Sequence, residues 1–147
     1  MKKTGSRLAL AGMLLAVLGC GSASEVAVRG TVTLDGQPLA NALVTFFPEG
    51  NTAGLGGSGR TGADGKYTLT PSRKGQALAP GEYRVVIRRP LNPDGSPADP
   101  SVPPIESQAR ETLPPMYSQR ESSVLKATVS SDQTTHDFRL DSRPKRK

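Results

Sequence analysis

Few residues in this chain have the types and spacing to do chemistry. Its 147 residues include one cysteine, Cys20, and one histidine, His136. A serine triad needs histidine, a carboxylate and a positioned serine. Ser22, Ser24 and Ser58 lie in loop-like stretches and nothing selects one of them. Zinc sites draw on several histidines or cysteines, and only His136 is left once Cys20 is otherwise employed. Asp35, Asp64 and Asp94 each precede glycine but lack the dense oxygen pattern of a calcium loop, so they read as turn residues. The run GLGGSG at 54–59 lacks the lysine and hydroxyl ending of a phosphate-binding loop and leads into no helix. His136 shares the parity of Phe138 and Leu140 near a strand start, which makes it a rim or core residue rather than a base. The expectation is no catalytic residue, no metal and no cofactor, hence no enzyme.

Cys20 is explained by its neighbours. Lys2, Lys3 and Arg7 precede an apolar run from Leu8 to Leu18, followed by Gly19. A basic start, a short apolar stretch and a small residue at the junction form a secretory signal. The run is too short to cross a bilayer, which takes about 20 apolar residues. Val17-Leu18-Gly19-Cys20 resembles the lipobox of bacterial lipoproteins. That resemblance implies cleavage between Gly19 and Cys20 and a diacylglyceryl group on the Cys20 sulfur. One acyl chain binds a membrane only marginally, whereas two or more hold it stably. Gly21-Ser22-Ala23-Ser24 then reads as a flexible tether. Gly21 in place of aspartate after the cysteine implies, by the lipoprotein sorting rule, the outer membrane.

The expected organisation is a signal peptide with its helix at 1–19, a tether at 20–24, one domain at 25–141 and a basic tail at 142–147. Of 19 basic residues, Lys2, Lys3 and Arg7 leave with the signal, and Arg143, Lys145, Arg146 and Lys147 crowd the last five positions. Residues 20–142 then hold 12 basic and 13 acidic side chains, so the overall charge of +6 describes the two ends. A nucleic-acid groove gains no support from it.

The elements that must position any site are short strands. Val26, Val28, Val32 and Leu34 alternate with Ala27, Arg29, Thr31 and Thr33, the period of a half-buried strand. Asp35-Gly36 turns the chain, and Ala42 to Phe47 reads as a second strand. Asp64-Gly65 predicts a type I′ hairpin into Lys66 to Thr70. Pro80-Gly81 introduces Glu82 to Arg89, where Tyr83, Val85 and Ile87 share one face. Eight of the 26 residues at 90–115 are proline, which excludes regular strand or long helix there. A segment of that length in a small domain is a functional excursion or a disordered flap. Strands return at Val124 to Val129 and Thr135 to Leu140. Seven short strands and no helix after the signal predict an all-β fold, a seven-stranded antiparallel β-sandwich.

VRGTVTLDGQPLANALVTFFPEG, GRTGADGKYTL and APGEYRVVI resemble the carboxypeptidase regulatory-like, or transthyretin-like, domain. The closing stretch LPPMYSQRESSVLKATVSSDQTTHDFRL, behind a lipoprotein signal, is similar to the ends of small lipoproteins of planctomycete-type bacteria. The resemblance covers about residues 26–140 and implies a prealbumin-type sandwich without catalysis. Transthyretin-like hydroxyisourate hydrolases use several histidines, and pilin-type relatives with an isopeptide bond use a first-strand lysine and a last-strand asparagine. Here position 29 is arginine and no asparagine follows Asn92.

The functional expectation is a non-enzymatic lipoprotein, exported and held on the envelope through Cys20, with a structural or interaction role toward an envelope protein or glycan. The alternative is a carbohydrate- or peptide-binding module using loops 49–59 and 90–115. With no tryptophan, three phenylalanines and three tyrosines, aromatic sugar platforms are scarce, and Tyr117 is expected to pack rather than face a ligand.

Overall fold

Alternation of apolar residues at 26–34 and at 82–89 decides which faces turn inward. A computed structural model describes residues 27–74 and 77–143. The signal, Gly19, Cys20, the tether, Val26 and the end of the basic tail therefore lie outside the described residues. Eleven strand segments occur among those described: β1 (Arg29–Leu34), β2 (Gln37–Pro38), β3 (Leu43–Pro48), β4 (Gly57–Arg60), β5 (Lys66–Thr68), β6 (Thr70–Pro71), β7 (Gly81–Arg88), β8 (Pro90–Leu91), β9 (Arg110–Glu111), β10 (Leu125–Val129) and β11 (Phe138–Leu140). One turn of helix, α1 (Pro115–Ser118), joins them. Proline at its first position supplies the helical φ without losing a needed donor.

The strands form a five-stranded sheet in the order β10-β7-β3-β4-β6 and a second sheet in the order β11-β1-β2, with β5 beside the first half of β1. Their apolar faces share one core. Val28 just before β1, Val32 of β1, Val44 and Phe46 of β3, and Val85 and Ile87 of β7 are all buried. Phe46 sits at its centre, with Tyr83 at 5.8 Å and Phe138 of the other sheet at 6.2 Å between ring centroids. Aromatic pairs at this spacing hold better than their buried area alone accounts for.

Four expectations change. The pairing is not wholly antiparallel, because β11 runs parallel to β1 with Val32 opposite Phe138 and Leu34 opposite Leu140. The connection from Val129 to Phe138 crosses from one sheet to the other, so the last strand arrives beside the first in the same direction. The type I′ turn expected at Asp64-Gly65 is found elsewhere. Asp35 and Gly36 both have positive φ, 51° and 81°, so the two-residue turn with mirror-image geometry is there. At Asp64-Gly65 only the glycine has positive φ. Gly62 donates to the Lys66 carbonyl and Gly65 to the Gly62 carbonyl, a longer loop in which Asp64 accepts from the Lys66 amide at 3.1 Å.

The glycine-rich stretch is half strand rather than loop. Gly57, Ser58 and Gly59 lie in β4, and a β-carbon at Gly59 would drive into the Thr68 backbone, so glycine permits close approach of neighbouring strands. Finally, 90–115 contains a regular pair and leads into α1. Pro90 pairs with Glu111 and Leu91 with Arg110. Proline is tolerated because it begins the strand of a two-stranded edge, where its carbonyl still accepts, at 3.1 Å, from the Ala98 amide.

A candidate cleft beneath the proline-rich insert

The residues that chemistry would favour first are buried in the core. His136 is buried against Phe46, ring centroids 5.8 Å apart. Its Nε2 has no hydrogen-bond partner among the described residues. Burial lowers its pKa, opposed by a bond to the Gln133 backbone and by Asp137, so the ring is held neutral. The Tyr67 hydroxyl donates to the His136 carbonyl at 2.7 Å inside the core. Burial, with Asp137 adding to it, raises the phenol pKa. Tyr83 donates to the Ala79 carbonyl at 2.7 Å. Tyr117 is buried as expected, and its oxygen accepts from the Asp141 amide at 3.4 Å. Asp35 accepts from the Ser142 amide at 2.9 Å, a bond that lowers its pKa. Ser58 sits in β4, with no carboxylate or imidazole bonded to it among the described residues.

Concave surface lies instead around the insert. Leu43 stands opposite Arg60 on one neighbouring strand and opposite Arg88 on the other. Directly opposed residues project to the same face. Since Val44 and Phe46 fill the core, the row Arg60, Leu43, Arg88 faces outward. Residues 98–109 fold back over this row and enclose a cleft of about 310 Å³, its walls including Pro90, Pro100, Val102 and Pro104. A second cleft of about 450 Å³ adjoins it within the insert, lined by Asn92, Asp94, Asp99 and Glu106 among others. Asp99, Val102 and Ser107 line both.

The insert is held in this position by Glu111. Its Oε1 accepts from the amides of Arg89 at 2.8 Å, Thr112 at 3.0 Å and Leu113 at 3.0 Å, while Oε2 lies 3.6 Å from Arg88 Nε. Thr112 Oγ1 also donates to the Arg89 carbonyl at 2.8 Å. Farther out, Asp94 and Asp99 each stabilise a local turn: Ser96 and Ser101 donate to them from both hydroxyl and amide. These bonds, the hydroxyl's first, lower both carboxyl pKa values and keep both groups ionised.

The electrostatics differ between the two ends of the outer sheet face. Toward the Glu49 end, Arg84 pairs with Glu49 at 2.6 Å and Lys126 joins at 3.8 Å, while Arg120 stacks on Phe47 at 4.5 Å. Toward the insert, Arg60 pairs with no carboxylate among the described residues. It donates to the Asn41 carbonyl at 3.1 Å, leaving other guanidinium donors open.

Loops 49–59 and 90–115 are not brought together. Pro48 stands opposite Tyr83 and Leu43 opposite Arg88, so the first loop leaves one end of β3 and the insert leaves the other. The five residue steps from Leu43 to Pro48 separate those ends by about 17 Å. Arg60, Arg88 and Glu111 were not singled out from the sequence. Outward parity after Ile87 marks Arg88, whereas nothing local marks Arg60 or Glu111.

Among the described residues no helix is long and apolar enough to cross a membrane, and no group of three or more His, Cys, Asp or Glu side chains could hold a metal ion. No protein-family model and no curated protein matches the chain. Among solved structures, a 9R-lipoxygenase from Cyanothece PCC8801 is similar at a TM-score of 0.35 and 17% identity, over 80% of this chain and 16% of that one. This chain thus spans a small part of that enzyme's length, and the likeness carries no argument about fold or function.

Proposed function

We propose that the mature chain is a non-enzymatic lipoprotein of the carboxypeptidase regulatory-like type: a β-sandwich anchored to the envelope through acylated Cys20, presenting its proline-rich insert as the contact surface. The observation that carries this reading is the insert's construction. It is clasped by Glu111 over an outward row of side chains, while His136 and the tyrosines are committed to packing. The shared core between two sheets, with Phe46 against Phe138, supports the sandwich. The lipobox-like Val17-Leu18-Gly19-Cys20 supports the anchor, and Gly21 supports the outer membrane.

Two measurements test this. In detergent-phase partitioning, the wild type is expected in the detergent phase with a mass increment on Cys20, and Cys20→Ser in the aqueous phase. Retention of both proteins with detergent would overturn the anchor. On an array of glycans and peptidoglycan fragments, saturable binding that disappears when 92–108 is replaced by a glycine-serine linker supports the contact role. Binding that survives the replacement refutes it. The peptide reading is preferred to the carbohydrate one because no aromatic side chain lines any cleft described around the insert.

A further inference from the structure

We infer that the cleft between the insert and the Arg60-Leu43-Arg88 row binds the free carboxylate end of a short peptide bearing a basic group upstream. This rests on the reading of the insert as the contact surface and specifies what it contacts. Arg60 and Arg88 lie two strands apart, a backbone separation of about 9.6 Å at the usual strand spacing. Two arginine side chains rooted that far apart can converge on one carboxylate above Leu43, Arg88 doing so while its Nε stays 3.6 Å from Glu111 Oε2, and guanidinium groups match carboxylates through paired N–H donors.

The walls favour a peptide over other anions. Pro90, Pro100, Val102 and Pro104 present aliphatic surface, which suits a small apolar terminal side chain and offers no ring for a sugar to stack on. A cleft of about 310 Å³ is at the small end of ligand pockets, the size for one or two residues. Inorganic phosphate would leave those apolar walls unfilled.

Charge sets the direction of the chain. A ligand leaving this cleft past Asp99, Val102 and Ser107 enters the adjoining cleft, where Asp94, Asp99 and Glu106 are the charged lining residues. Asp94 and Asp99 are kept ionised by their serine bonds. A carboxylate at the arginine end and an ammonium group at the other complement the two clefts, with Asp99 on the wall they share, whereas a second anionic end meets Asp94 and Glu106 unfavourably.

The test is a titration of the full chain in detergent micelles with a fluorescently labelled Lys-Ala-Ala peptide carrying a free carboxylate. The expected result is saturable binding, at least about tenfold weaker for the C-terminal amide of the same peptide. Arg60→Gln and Arg88→Gln should each weaken the free acid and leave the amide unchanged. Both side chains are exposed, and a retained melting temperature confirms that each variant folds. Acetylating the lysine should weaken binding in the wild type but not in Glu106→Gln. The proposal is overturned if acid and amide bind equally, if both arginine variants match the wild type, or if no saturable binding appears at millimolar peptide. Displacement by glucuronate as effective as by the peptide would move the cleft to acidic sugars and also overturn it. In each of these cases detergent partitioning still reports on the Cys20 anchor, and the linker replacement on the insert, so the two readings fail separately.

Discussion

Replacing Glu111 should open the insert without unfolding the domain. The carboxylate accepts from three backbone amides, those of Arg89, Thr112 and Leu113, and lies near Arg88. A hydrogen bond to a charged group contributes about 1.5–3 kcal/mol when isolated. Here the three share one oxygen, and the side chain is 26% exposed, so water replaces part of each bond. Taking about half of the smallest sum gives roughly 2–3 kcal/mol for Glu111→Ala. If amides at 90–112 exchange by local opening, that loss raises their exchange rates about 30- to 150-fold. Hydrogen exchange read by mass spectrometry follows peptides from this segment beside peptides from β3 and β7. The segment's protection should collapse, while the strands, whose Val44, Phe46, Val85 and Ile87 stay buried, keep theirs. Glu111→Gln retains one neutral acceptor and should fall between. Unchanged protection at 90–112 in Glu111→Ala would refute the clasp, and equal loss in β3 would show that the insert and core open together.

The remaining predictions concern the core beneath the cleft. Tyr67→Phe removes the donor to the His136 carbonyl and leaves that buried acceptor unpaired, which costs about 1–3 kcal/mol. Chemical denaturation should show that loss with an unchanged denaturant dependence, and an unaltered midpoint would show that the hydroxyl bond is not structural. His136 has a folded-state pKa below its ordinary value of about 6.5, so its neutral form favours folding above that pH. That contribution falls as pH drops from about 6.5 toward the folded-state value. The lowered carboxyl pKa values of Asp35, Asp64, Asp94 and Asp99 act in the same direction but only below about pH 4. Melting temperatures between pH 7 and 5 should therefore slope downward in the wild type and flatten in His136→Gln. Parallel slopes would remove the histidine as the cause.

Much of the inward-facing surface is legible along the chain. Alternation turns Val28 and Val32, and Val85 and Ile87, inward, and all four are buried; Val44 and Phe46, in a run apolar on both faces where alternation decides nothing, are buried as well. Each Asp-Gly pair does mark a turn, because glycine reaches positive φ at little cost and a short aspartate can bond the backbone nearby. These are local properties, fixed by a side chain and its two or three neighbours. The turn types depend on how the flanking strands pair, so the mirror-image turn expected at Asp64-Gly65 forms at Asp35-Gly36 instead.

Pairing between distant strands is decided only in the folded chain. Backbone amides and carbonyls are the same at every residue, so nothing in Phe138-Arg139-Leu140 announces a parallel partner in Val32-Thr33-Leu34. The same holds for the cleft. Leu43, Arg60 and Arg88 are scattered across 46 residues of sequence and meet only because β3 lies between β4 and β7 in one particular register. A shift of one residue in either pairing would turn an arginine to the opposite face, which is why composition and spacing could supply the charges but only tertiary structure could set them in a row.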